Sequence, residues 1–131
     1  MKRRSFLTVL LRLLVTPIVI AGAALYLLTI PSVLSESELA PRTADLANGE
    51  TMFHAGGCAS CHATPGEEGK TRLGGGLALN TAFGTFRAPN ISPDPQYGIG
   101  SWSEIEFVNA MLRGVGRNGE HLYPSFPYTS Y

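Results

Sequence analysis

With 131 residues and a formal net charge of zero, the chain has room for a membrane segment and about one small domain. The zero hides an asymmetry: Lys2, Arg3, Arg4 and Arg12 fall in the first dozen residues, whereas from Pro31 onward six basic residues face ten acidic ones, a formal −4. That balance argues against nucleic acid as a partner, because phosphate binding needs clustered cations.

Residues 1–12 form a basic N-terminus, and residues 13–30 are an uninterrupted run without charge. The run is extended on its N-terminal side by Phe6 to Leu11, with Arg12 between, and is long enough to span a bilayer as a helix. Basic residues precede it and Ser35, Glu36 and Glu38 follow, so the positive-inside rule keeps the N-terminus in the cytoplasm and exports the rest. Arg12 is expected to snorkel toward the cytoplasmic face, and Pro17 to kink the helix. The reading is a retained single-pass anchor in a bacterial inner membrane. Its rival is a cleaved signal peptide, which usually has a shorter apolar region and a small-x-small cleavage site that is not evident after Ile30. Arg3-Arg4-Ser5-Phe6-Leu7 resembles a twin-arginine export signal, but simple positive-inside charge is the preferred explanation.

Residues 31–43 read as a polar linker and residues 44–131 as the exported domain. Thr43 to Gly56 is expected to be helical, with Leu46, Glu50 and Phe53 near one face and Gly56-Gly57 ending it. Cys58-Ala59-Ser60-Cys61-His62 follows at once, the C-x-x-C-H pattern of covalent c-type haem attachment. Each residue has a job in that chemistry. Two thiols add to the two vinyl groups of one haem, two intervening residues let both sulfurs reach the same porphyrin edge, and the adjacent imidazole binds iron from the proximal face. The alternatives are a redox-active dithiol or half of a zinc site. Zinc would need ligands from His54, His62 and His121, and no Val/Ile-rich strand precedes Cys58 to suggest a thioredoxin-like frame.

Gly66 to Gly76 reads as a loop, and the Gly74-Gly75-Gly76 triplet is a weak phosphate signal without a strand–helix frame. Phe83 to Gly100 is expected to be irregular and packed, given Pro89, Pro93 and Pro95 together with Phe83, Phe86 and Ile91. Ser101 and Glu104 stand in capping-box spacing before a helix whose stripe is Ile105, Val108, Met111 and Leu112, with Gly114 as its stop. An aromatic, proline-containing tail runs from His121 to Tyr131.

Beyond the haem motif, the chain resembles one branch of the class I c-type cytochromes. These are the membrane-attached cytochrome c proteins and subunits that serve periplasmic alcohol, aldehyde and sugar-acid dehydrogenases. The matching stretches include Asn48-Gly49-Glu50, Ala55 to His62, Gly74 to Leu77, Phe83 to Phe86, Pro89-Asn90-Ile91-Ser92-Pro93-Asp94, Gly98 to Ser103 and His121 to Tyr131. The resemblance implies an all-α, cytochrome c-like domain around one covalent haem c, with its edge at the solvent. It implies Cys58, Cys61 and His62 as attachment and proximal-ligand residues, with Pro89, Asn90, Ile91 and Trp102 bordering the haem. It also implies one-electron transfer from a periplasmic dehydrogenase to the quinone pool or a terminal oxidase, with no substrate chemistry on this chain. The family expects a distal methionine and a C-terminal helix after the Pro-Tyr-Thr-Ser-Tyr stretch, so the sequence reads as truncated before both. Met52 and Met111 are expected to be core residues, and His54 or His121 are weak substitutes as distal ligand. The rival reading is a haem-based sensor or peroxidase-like protein with an open distal iron position.

Overall fold

The computed structural model describes residues 2–68 and 70–125, so the tail from Phe126 to Tyr131 lies outside the described residues. The chain divides into two units, Met1–Ser32 and Val33–Tyr131. The first is one helix, α1 (Lys2–Leu28), with Pro17 inside it. Within it, Phe6–Leu28 is a 23-residue stretch of mean hydropathy 2.2. At about 1.5 Å per residue such a stretch exceeds the roughly 30 Å hydrocarbon core of a bilayer. An N-terminal signal sequence would show the same length and composition.

The second unit holds a 3-10 turn at Glu36–Glu38, helices α2 (Leu46–Ala55) and α3 (Cys58–His62), strands β1 (Ala78–Thr81) and β2 (Gly84–Arg87), and helix α4 (Glu104–Arg113). The helix anticipated from Thr43 begins later, because the Asp45 side chain accepts the Asn48 N–H at 2.9 Å and fixes the N-cap there. Gly56 ends α2, and Gly57 (φ 66°) takes the left-handed conformation that turns the chain straight into α3. The helix α4 is also capped later than Ser101 and Glu104 suggest. Ser103 and Glu106 close the capping box, while the Ser101 hydroxyl accepts a hydrogen bond from Arg117 at 2.9 Å. The sequence repeats the Ser-x-x-Glu spacing two residues apart, and the tertiary partner of Ser101 selects the second copy. Gly114 (φ 62°) stops α4 as expected.

The all-α expectation needs correction: the regular structure of the unit is mostly helical but includes an antiparallel hairpin. Its register pairs Leu79 with Phe86 and Thr81 with Gly84, joined by Ala82-Phe83. The turn lacks the Asn-Gly or Asp-Gly signal of tight hairpins and is closed instead by Thr81, whose Oγ1 donates to the Gly84 carbonyl at 2.9 Å and accepts the Phe83 N–H at 3.1 Å. Phe86 stacks on Tyr123 with ring centroids 3.8 Å apart, which ties the hairpin to the segment after α4.

Little of this unit is fully enclosed. Among the described residues the buried apolar side chains are Ala88 and Val115, and the buried polar one is Asn109. Met52, expected in a core, is 57% exposed, whereas Met111 is half-buried.

Candidate haem-attachment site

The short helix α3 carries Cys58, Cys61 and His62 on little more than one turn. Cys58 is half-buried and Cys61 exposed, and both are free thiols. Ser60 Oγ donates to the Gly57 carbonyl at 2.6 Å, which closes the N-terminal end of this turn.

His62 is held from two sides. Its Nδ1 lies 2.8 Å from the Pro89 carbonyl. A carbonyl only accepts, so Nδ1 carries the proton and Nε2 is left with the lone pair. Its backbone carbonyl accepts the Gly75 N–H at 2.9 Å. The two threads that reach it also bond to each other, Gly76 N–H to the Ala88 carbonyl at 2.9 Å and Ile91 N–H to the Leu73 carbonyl at 2.9 Å. Thr64 strengthens the frame: its N–H donates to the Arg72 carbonyl at 2.8 Å and its Oγ1 accepts the Gly74 N–H at 3.2 Å. Gly75 has φ 69°, and a Cβ there would overlap the carbonyl oxygens of Ala88 and Pro89. The glycine triplet is thus a point of close backbone approach. The sequence shows the glycines but not which segment they meet.

The loop from Pro89 to Gly100 is internally bonded. Asn90 Oδ1 accepts the Ser92 N–H at 2.8 Å, and Asp94 Oδ1 accepts the N–H groups of Gln96 and Tyr97 at 2.8 and 2.7 Å. Those donors, Tyr97 first and then Gln96, hold the Asp94 carboxyl below its ordinary value. Ile99 N–H donates to the Ser92 carbonyl, and Trp102 N–H to the Ile99 carbonyl, at 2.9 and 3.0 Å. The structure therefore brings Cys58, Cys61, His62 and Pro89 together, with Asn90 and Ile91 next in the chain. It ties Trp102 to the far end of the loop rather than directly to α3. His54 is exposed on the last turn of α2, edge-on to Phe53 and beside a cleft of about 420 Å³ that Ala59, Lys70 and Thr71 also line. His121 is exposed and pairs with Val115 in an isolated antiparallel bridge.

The group implied by the sequence is a haem joined through two thioethers, and the donor set fits it. Two thiols lie one helical turn apart, and the neighbouring imidazole has its Nδ1 fixed by a carbonyl, the usual support for a metal-binding histidine. Phe53, Leu73, Phe86 and Ile91 are only half-buried, so apolar surface is present that a haem would enclose. Among the described residues no three His, Cys, Asp or Glu side chains converge as a zinc site would require.

No protein-family model matches the chain. It is 52% identical over 117 residues to a diheme cytochrome c-type protein of Cereibacter sphaeroides, a match covering 87% of this chain and 39% of that protein. It is 45% identical over 119 residues to a nicotinate dehydrogenase subunit from Pseudomonas putida, covering 84% of this chain and 10% of the relative. Against the cytochrome c subunit of gluconate 2-dehydrogenase from Pantoea cypripedii it is 42% identical over 83 residues, covering 63% of this chain and 18% of that subunit. The chain spans less than two-fifths of the length of these relatives. Identity of this level over most of the chain is kinship rather than a shared motif: the homologues of this chain are a diheme cytochrome c and the cytochrome c subunits of dehydrogenases.

Proposed function

We propose that this chain is a membrane-anchored, periplasmic c-type cytochrome that carries single electrons from a dehydrogenase to the respiratory chain. It is an electron carrier and does no substrate chemistry itself. The observation that carries the reading is the Cys58–Cys61–His62 turn with its imidazole oriented by Pro89. The dehydrogenase subunits among its relatives support the choice of donor.

Haem c, when attached, supplies reversible one-electron chemistry at iron. The chain's residues do the rest. Cys58 and Cys61 would hold the group by two thioethers, and His62 would offer Nε2 to the iron while its Nδ1–H stays hydrogen-bonded to the Pro89 carbonyl. Pro89, Asn90, Ile91 and Trp102 would border the group and limit water at its edge. The helix α1 would span the inner membrane once, with its basic end in the cytoplasm, and keep the carrier near a quinone pool or terminal oxidase.

Expression of the full chain with a c-type maturation system tests this. The expected product keeps its haem on a denaturing gel and gives a haem c spectrum when reduced, and replacing both cysteines by alanine abolishes the stained band. Absence of haem absorbance overturns the reading. A reduced spectrum unshifted by carbon monoxide favours electron transfer by this chain, whereas a shifted one indicates an open sixth position and does not separate the two readings.

A further inference from the structure

Residues 33–42 read as a free linker by composition, yet they are fastened along α4. Leu34 N–H donates to Asn109 Oδ1 at 2.7 Å, and Asn109 Nδ2 donates to the Leu34 carbonyl at 3.1 Å. One side-chain amide thus satisfies both backbone groups of Leu34, as a neighbouring strand would. Asn109 is 9% exposed, and a polar group at that depth needs such partners. Farther on, Arg42 forks onto Glu104 Oε1 through Nε at 2.6 Å and Nη2 at 2.5 Å. Between these points the chain closes a tight turn, with the Ser35 N–H donating to Glu38 Oε2 at 2.8 Å. Both fastenings belong to the unit that starts at Val33.

The geometry points to Asn109 as a positioning residue that shortens the tether between the apolar helix and the redox domain. Thr29 is bonded back onto the last turn of α1, so with the strap fastened the connecting chain is Ile30–Val33, four residues that reach at most about 14 Å when extended. With the strap released, the connecting chain runs from Ile30 to Ala44, just before the Asp45 cap, and reaches about 50 Å. This inference rests on the proposed membrane attachment and electron transfer. It narrows the partner to a membrane-bound protein that presents its redox group close to the bilayer surface, and disfavours a freely diffusing one. A short tether raises the effective concentration at that height and nowhere else.

The test uses the full, haem-loaded chain in membranes of the expressing host. One variant inserts ten Gly/Ser residues between Ser32 and Val33, which lengthens the tether and leaves the strap intact. A second is Asn109→Ala. The readouts are haem reoxidation through the membrane's own oxidase, haem reoxidation by ferricyanide in solution, and trypsin cleavage after Arg42. Because effective concentration falls roughly as the −3/2 power of tether length, lengthening four residues to fourteen is expected to slow reoxidation through the membrane about sixfold. Its ferricyanide rate and its resistance at Arg42 should match the parent. Asn109→Ala is expected to slow the membrane route similarly and to open Arg42 to trypsin. An insertion variant with the parent's membrane rate overturns the proposal, and so does an Asn109→Ala chain as resistant at Arg42 as the parent. A chain without haem absorbance sinks the electron-carrier reading instead, and trypsin still shows whether Asn109 fastens the strap.

Discussion

Gly75 is the residue on which the surroundings of His62 depend most closely. Its N–H reaches the His62 carbonyl, its φ is 69°, and the Ala88 and Pro89 carbonyls leave no room for a Cβ. Gly75→Ala therefore meets a strained backbone, in itself about 1–3 kcal/mol, and a clash with main-chain atoms that cannot swing aside. Thermal unfolding of the haem-loaded chain should fall by roughly 4–8 °C for each kcal/mol lost. Retention of the parent's midpoint would show that the close approach is not needed. Asp94 offers a second check. Its folded carboxyl is held below the ordinary value of 3.8 by the N–H groups of Tyr97 and Gln96. A depressed folded pKa stabilises fully above the unfolded value and is lost as pH falls through the folded one. Asp94→Asn should therefore flatten the stability profile below about pH 4 and leave its shape near neutrality unchanged, as acid titration followed by circular dichroism would report. At this scale the sequence was most legible where the chemistry is contiguous. Cys58, Cys61 and His62 stand side by side, whereas Gly75 and Pro89 reach His62 from 13 and 27 positions away.

Among the elements, α4 shows how a correct local rule can settle on the wrong register. Ser101 with Glu104 and Ser103 with Glu106 both satisfy the capping-box spacing, and only the contact between Arg117 and Ser101 decides between them. Ser103→Ala should cost about 1 kcal/mol of stability. Ser101→Ala, which loses a single exposed hydrogen bond, should cost less, and thermal unfolding of the two variants gives the order. The reverse order would place the cap at Ser101 after all. The hairpin was missed for a different reason. Each strand has four residues and the turn residues are Ala82 and Phe83, so neither periodicity nor turn chemistry announces it. Its support is tertiary, through Phe86 on Tyr123. The strap was missed likewise, since Ser, Glu and Pro gave residues 31–43 the composition of a free linker while its anchor Asn109 lies on a helix 75 positions away from Leu34.

For the molecule as a whole, the scarcity of enclosed side chains matters most. With Ala88 and Val115 as the buried apolar residues among those described, hydrophobic burial supplies little of the stability a small domain needs. A covalently held haem would add apolar surface and a cross-link between two points of α3. The double variant Cys58→Ala, Cys61→Ala is thus expected to unfold at a lower temperature and with less cooperativity than the loaded chain, read by calorimetry. Equal, sharp transitions in both would show that the polypeptide is self-sufficient. The apolar helix was legible from hydropathy alone, because a long uncharged run needs no tertiary partner to declare itself. The shape of the second unit was not, because its frame consists of backbone hydrogen bonds between loops, to which side-chain patterns are nearly blind.

The bonds around His62 close a circuit. The imidazole holds Pro89, the neighbouring Ala88 holds Gly76, and the adjoining Gly75 holds the His62 main chain. A closed polygon of short links resists shear in a way that a single bond cannot. In the proposed cytochrome, an imidazole fixed in this manner would neither tilt nor retreat when the charge in front of it changes by one. The nuclear rearrangement accompanying each electron transfer would then be small, and the proposed redox step could be fast in both directions with little driving force.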